Sequence, residues 1–216
     1  MAEQFVSKRR LERFYSVLNE RTNYIAPVFE NLNKPHNASA VIRTGDAMGI
    51  SRVHFIESKI EYAFNRDITK GTHNWVEHES YPDVTSCFSE LRKKNYAIVG
   101  TCLHEKAITP AELPIDRPLA LVFGNEIDGI SCNVIDECDY LVTIPMYGFV
   151  ESFNISVAAA LIMSSLLERL RAQDAIHWKL TEKEKKKMLR KWIYYNTRIG
   201  QIVSKKRNKS RMTDRF

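Results

Sequence analysis

Two stretches more than a hundred residues apart place polar side chains where a core segment would carry only apolar spacing. They are N-K-P-H-N-A-S-A-V-I-R-T-G-D-A, Asn33 to Ala47, and I-P-M-Y-G-F-V-E-S-F-N-I-S-V-A, Ile144 to Ala158. Asn37 immediately precedes the small-residue segment A-S-A-V-I-R and can serve as a helix N-cap. Arg43 follows among Val41, Ile42 and Ala47. An arginine at an apolar helix position is tolerated only with a phosphate, a carboxylate or a backbone oxygen beside it, and Glu126 and Asp46 are carboxylates of this chain that could serve. Glu126 ends the run L-A-L-V-F-G-N-E, a strand entering a tight turn, and the carboxyl ends of α/β strands commonly hold ligands. Ser152 and Asn154 flank Phe153 between the turn M-Y-G-F-V and a helix, a cap-like place that also exposes backbone groups. Each of these residues taken singly is accounted for by capping, packing or a salt bridge.

Several common chemistries find no support. The eight glycines supply neither G-x-G-x-x-G nor G-x-x-x-x-G-K-[ST]; Gly124 and Gly129 have the outer spacing, but Ile130 and Ser131 follow them. Dinucleotide binding of the ordinary kind and P-loop chemistry are thereby disfavoured. There is no G-x-S-x-G, and no cysteine sits in a recognisable nucleophile signature. The four cysteines, Cys87, Cys102, Cys132 and Cys138, form no C-x-x-C pair and read as buried free thiols, with no metal site expected. His36 precedes a helix start, where capping or packing explains it, and Glu126 with Asp128 makes only a weak carboxylate pair.

The elements that would position these residues alternate along the chain. Short apolar runs at 27–32, 52–57, 96–102, 119–123 and 140–145 read as buried strands. Helical segments at 38–48, 84–94 and 131–138 lie between several of them, which makes an α/β protein with a largely parallel sheet. A long helix over 153–172 follows, with V-A-A-A for close packing and more apolar width than one side of a sheet requires, as a subunit interface would need. Near the amino terminus, Leu11, Phe14, Tyr15 and Leu18 fall at i, i+3, i+4 and i+7, one face of an amphipathic helix, with Lys8, Arg9, Arg10, Arg13 and Arg21 on or beside the other. A last helix is predicted from Thr181, where T-E-K-E forms a capping box, to about Val203.

At 216 residues, with 44% hydrophobic and 27% charged, the chain has ordinary globular composition and the default is one main domain. The opening M-A-E-Q-F-V-S-K-R-R has no apolar core, and the longest apolar stretch, 155–167, is short of the roughly 20 residues of a membrane span. A cytoplasmic protein is expected. The net charge of +6 is uneven: residues 168–216 carry 16 Lys and Arg against 5 Asp and Glu, a charge of +11, which leaves −5 for residues 1–167. Clustered cations at one end suit contact with a nucleic acid, and a solvated tail is the plainer alternative. The basic side of the first helix is open to the same two readings.

The strings N-K-P-H-N-A-S-A-V-I-R-T-G-D-A-M-G, L-V-F-G-N-E-I-D-G-I and I-P-M-Y-G-F-V-E-S-F-N-I-S-V-A-A-A-L resemble, in order and spacing, the three motifs of the SPOUT superfamily in its SpoU/TrmH branch of RNA ribose 2′-O-methyltransferases. The match spans about residues 28–172. The resemblance implies a mostly parallel α/β sheet flanked by helices, with a carboxyl-terminal deep trefoil knot, a rare exception among folds. It implies a homodimer with S-adenosyl-L-methionine bent into the knot at the subunit interface. Thr101, Leu103, Gly124, Ile144, Met146 and Phe153 would hold that cofactor, and Asn37, Arg43, Glu126, Ser152 and Asn154 carry over as catalytic positions.

In the mechanism proposed for this branch the arginine, Arg43 here, deprotonates the 2′-hydroxyl with help from an RNA phosphate. A guanidinium deprotonates only above about pH 12, so orienting the phosphate and stabilising the developing alkoxide is the alternative. The terminal helices resemble the extensions of branch members that methylate guanosine 18 in the D loop of transfer RNA. Arg9, Arg10, Arg13, Lys186, Lys187, Arg190 and Lys191 would then contact RNA. A ribosomal RNA site or a transfer RNA wobble ribose is the alternative within the class, and a catalytically idle RNA-binding protein the alternative outside it. The implied plan is a basic helical extension over 1–25, a methyltransferase domain over 26–172 and a second basic extension over 173–216.

Overall fold

The computed structural model describes residues 6–32, 35–56, 74–125 and 127–196. Six parallel strands form one sheet: β1 (Ile25–Glu30), β2 (Arg52–Ile56), β3 (Glu77–Tyr81), β4 (Ala97–Thr101), β5 (Leu119–Phe123) and β6 (Tyr140–Val142). Their spatial order is β3-β2-β1-β5-β4-β6, and every neighbouring pair is parallel. Helices precede, connect or follow them: α1 (Lys8–Leu18), α2 (Pro35–Met48), α3 (Val84–Lys93), α4 (Cys132–Glu137), α5 (Ile155–Arg171) and α6 (Glu182–Asn196).

The strand sequences explain the layering. Side chains alternate between the faces of a strand, so a strand buried on both faces must be apolar throughout. In β5, Leu119, Leu121 and Phe123 join one apolar layer with Val41 and Ile42 of α2 and Ile162, Met163 and Leu166 of α5. Ala120 and Val122 join the other, with Cys87, Phe88 and Leu91 of α3 and Val134 of α4. β1 and β4 divide in the same manner, Phe29 and Val99 to the first layer, Val28 and Ile98 to the second.

Most predicted elements are present with shifted ends. The predicted start of α2 at Ala38 is too late: the helix begins at Pro35, so Asn37 lies within its first turn and is not the N-cap. Proline suits a first helical position because its fixed φ is already helical and it has no N–H to leave unsatisfied. β3 is an addition. Its sequence E-H-E-S-Y alternates between half-buried and exposed at the sheet edge and is held there by Arg52–Glu77 (2.7 Å) and Arg52–Glu79 (3.4 Å) ion pairs. A polar edge strand of this kind gives no apolar signal.

The chain divides into two compact units, Thr22–Trp178, which contains the sheet, and a terminal unit built from residues 1–21 and 179–216. In the terminal unit α1 and α6 bury Phe14, Leu18, Leu180, Met188, Leu189, Trp192 and Ile193. The rings of Phe14 and Trp192 meet edge-on at 5.5 Å. The predicted capping box is present: the Thr181 N–H donates to Glu184 Oε2 (2.8 Å) and the Glu184 N–H donates to Thr181 Oγ1 (3.3 Å). Residues 197–203, included in the predicted span of this helix, lie outside the described residues.

Two expectations for α1 are corrected. Arg21 is 1% exposed, with its guanidinium 5.4 Å from the centre of the Trp192 ring, so it is a core cation–π partner and not part of the basic surface. Tyr15, assigned to the apolar face, is exposed.

Candidate active site

At the carboxyl ends of β4, β5 and β6 lies a cavity of about 660 Å³. Thr101, Cys102 and Leu103 enter it from the end of β4, Gly124, Asn125 and Ile127 to Ile130 from the turn after β5, and Thr143, Ile144 and Met146 from the segment after β6. Phe153, Asn154 and Ile155 close it at the start of α5, and Asn37 reaches it from α2.

The turn after β5 is fixed by its own sequence. The backbones of Asn125 and Gly129 exchange hydrogen bonds of 3.0 and 3.1 Å, and the Asn125 side-chain oxygen accepts from the N–H groups of Ile127 and Asp128, both at 2.8 Å. Gly129 has φ +71°, a left-handed value that costs glycine little. Gly124 is required for a different reason: a Cβ there would stand 1.9 Å from the Gly129 carbonyl oxygen. At the neighbouring strand end, the Thr101 hydroxyl donates to the Val122 carbonyl (2.9 Å) and ties β4 to β5 beside the cavity.

Across the cavity, Asn154 is the N-cap of α5. Its side-chain oxygen accepts from the N–H of Ser156 (2.9 Å) and from the Ser156 hydroxyl (2.6 Å). Its amide nitrogen points the other way and donates to Asn37 Oδ1 at 3.5 Å, a long contact. Asn37 is only 5% exposed. The amide of one motif thus meets the amide of the other.

Of the expected cofactor contacts, Thr101, Leu103, Gly124, Ile144, Met146 and Phe153 all line this one cavity, together with Asn37, Ser152 and Asn154 of the expected catalytic group. Arg43 does not line it. It lies on the exposed side of α2 and, among the described residues, makes no ion pair, so the expectation that its position is apolar is corrected, and Asp46 is not its partner. Glu126 lies outside the described residues. In the terminal unit, Arg9, Arg10 and Arg13 of α1 and Lys186, Lys187 and Arg190 of α6 are exposed, and Lys191 is half-buried.

Some lining residues were not anticipated. Asn125, Asp128, Gly129 and Ile130 belong to a turn whose signal, an asparagine three residues before Asp-Gly, was in the sequence. Cys102 also lines the cavity, as a neutral thiol whose pKa is raised by burial, and burial with the neighbouring Cys102 pushes Cys138 up to about 12. Neither is an activated nucleophile. Of the cysteines expected as buried free thiols, Cys87 is buried, Cys102 and Cys138 are half-buried, and Cys132 is exposed.

A model of the SpoU rRNA Methylase family matches residues 25–164. A Borreliella burgdorferi protein named tRNA (guanosine(18)-2′-O)-methyltransferase is 41% identical over 88% of this chain and 86% of its own length. A protein of the same name from Aquifex aeolicus is 32% identical over 89% of this chain and 92% of its own. The crystal structure of the A. aeolicus TrmH/SpoU tRNA modifying enzyme superposes with a TM-score of 0.80 at 30% identity, covering 88% of this chain and 97% of that one. The SpoU methyltransferase AviRb from Streptomyces viridochromogenes, solved in complex with AdoMet, shares the fold at a TM-score of 0.60 and 22% identity, over 73% of this chain and 62% of its own. With its parallel six-stranded sheet and with relatives matching nearly its whole length, the chain belongs to the SpoU methylase family.

Proposed function

We propose that this protein methylates a ribose 2′-hydroxyl of transfer RNA, that of guanosine 18 in the D loop, with S-adenosyl-L-methionine as donor. The relatives that match this chain nearly end to end are named for that reaction. The observation that carries the reading is the single cavity at the strand ends, into which all three motifs send residues. Its size is within the roughly 300–1,000 Å³ of small-molecule sites. Its lining also fits the donor: Leu103, Ile144, Met146 and Phe153 offer apolar surface to a purine ring, while Asn125, Asp128 and the backbone of Gly124 and Gly129, with Thr101 and Asn154, offer polar groups to the ribose and the amino-acid end.

The donor supplies a methyl carbon made electrophilic by its sulfonium. The protein contributes alignment of the attacking oxygen with that carbon and stabilisation of negative charge as the hydroxyl proton leaves. Asn37 and Asn154, linked to each other, hold the first turn of α2 against the start of α5 and set the floor on which the ribose rests. Exposed Arg43 orients an RNA phosphate and stabilises the forming alkoxide, a task for a permanently charged guanidinium, and the phosphate or solvent takes the proton. Ser152, exposed at the rim, contacts the ribose, and Glu126 holds the arginine or the turn.

The same reading includes a homodimer and a trefoil-knotted carboxyl-terminal part of the domain over 26–172. Exposed Tyr147, Phe149 and Val150, with Val157 and Leu161 on the outer side of α5, support a subunit interface, because so many adjacent apolar side chains mark a contact surface. The basic helices of 1–25 and 173–216 are the contacts for transfer RNA, through Arg9, Arg10, Arg13, Lys186, Lys187, Arg190 and Lys191, in the cytoplasm.

The test is incubation of the purified protein with methyl-labelled donor and total RNA, followed by nucleotide-resolved mapping. Label on guanosine 18 of transfer RNA is expected. Label on a ribosomal site or a wobble ribose would move the substrate within the class, and RNA binding without transfer would leave an idle RNA-binding protein.

A further inference from the structure

Glu30, the last residue of β1, is 3% exposed, yet its carboxylate faces no cation among the described residues. Both of its oxygens go to one residue. The Ser131 N–H donates to Oε2 (2.8 Å) and the Ser131 hydroxyl donates to Oε1 (2.6 Å). The Ser131 oxygen in turn caps α4 by accepting from the Val134 N–H (3.4 Å). A buried carboxylate is costly, and a neutral side chain would cap a six-residue helix with less desolvation.

The carboxylate is better explained by what Ser131 terminates. Gly124, Asn125 and Ile127 to Ile130 form this wall of the cavity, and Ser131 is the first residue beyond it. The wall is clasped internally by the Asn125–Gly129 backbone pair, which fixes its shape but not its place over the sheet. Its far end is anchored to the sheet by the two short bonds that Ser131 donates to the Glu30 carboxylate. The near end is anchored by β5 itself, whose Phe123 pairs with Phe29, the residue before Glu30. Both ends of the wall therefore rest on the final two residues of β1.

We propose that Glu30 is a positioning residue for donor binding: through Ser131 it sets the depth of the wall formed by Gly124, Asn125 and Ile127 to Ile130, and hence the width of the donor pocket. This rests on the cavity being the donor site. A group acting in this way governs affinity for the donor more than the rate once the donor is bound.

The test uses the full-length protein with S-adenosylhomocysteine in calorimetry, alongside KM for the donor, kcat and thermal unfolding. Glu30→Ala is expected to weaken S-adenosylhomocysteine binding about tenfold or more and to raise KM in parallel, while kcat at saturating donor stays within about twofold. Glu30→Gln keeps an acceptor for the Ser131 N–H and is expected to fall between. Should Glu30→Ala fail to fold, Glu30→Gln and Ser131→Ala decide. Their effects on Kd are expected to be non-additive in the double variant, because both act through one contact. Unchanged Kd and KM in folded variants, or losses confined to kcat and melting temperature, would overturn the proposal. Absence of S-adenosylhomocysteine binding by the unaltered protein would instead overturn the reading of the cavity.

Discussion

The Asn154 amide nitrogen lies 3.5 Å from Asn37 Oδ1, joining residues 117 positions apart. The two residues do different work at this junction, since Asn154 also caps α5 through its oxygen. The cap needs only an acceptor, whereas the link to Asn37 needs the amide N–H. Asn154→Asp separates them. It should keep the melting temperature close to that of the parent while reducing methyl transfer; Asn154→Ala should lose about 1 kcal/mol of stability as well. Equal activity of Asn154→Asp and the parent would show that the link is dispensable.

Arg43 offers the opposite case, an exposed side chain with no ion pair among the described residues. Its removal should leave stability within about 0.5 kcal/mol. If the guanidinium stabilises developing charge, turnover in Arg43→Ala should fall by about a hundredfold or more. Unfolding curves and single-turnover rates on the same preparation check both halves.

Gly124→Ala tests the turn. The added carbon would meet backbone at 1.9 Å, where no side-chain rotation can relieve it. We expect a loss of about 3 kcal/mol in stability and no detectable S-adenosylhomocysteine binding by calorimetry.

How much of this was legible beforehand depends on what each segment buries. β5 is apolar on both faces, and the apolar run 119–123 coincides with the strand. β3 buries half of one face and was invisible by the same criterion. The cofactor positions came from motif resemblance, and the cavity that gathers them could not have been drawn from periodicity, because it joins strand ends from distant parts of the chain. Glu30 escaped notice for a related reason. In the expected strand over 27–32 it is one acidic residue within an apolar run, with nothing local to name a partner, and only the fold, which ends the strand at Glu30, places Ser131 beside it.

The His54 imidazole is 1% exposed, and burial, partly opposed by Glu79, holds its pKa down at about 4. In the unfolded chain it would titrate near 6.5. Between those values the unfolded state binds the extra proton, so stability is complete above about pH 6.5 and declines as the pH falls towards 4, by on the order of 3 kcal/mol. Glu79, whose carboxyl burial pushes up but the Tyr81 hydroxyl and Arg52 together hold below its ordinary value, adds to the acid loss at still lower pH. Denaturant unfolding across this range should show a shallower slope in His54→Leu.

Neutralising Lys186, Lys187 and Arg190 together should weaken transfer RNA binding and reduce the slope of log Kd against log salt by about 1 for each phosphate that these cations neutralise in the parent. Unchanged affinity and slope would remove α6 from the RNA interface. Melting temperature should hardly change, since all three side chains are exposed.

The pairing of α1 with α6 has a consequence for how the molecule comes into being. The bond from Lys185 to Asn19 spans 166 positions, and Trp192 is the ring against which both Phe14 and Arg21 rest. During synthesis the first helix leaves the ribosome long before its mate has been translated. The contact of Phe14 with Trp192 therefore exists only once the carboxyl-terminal helix has emerged.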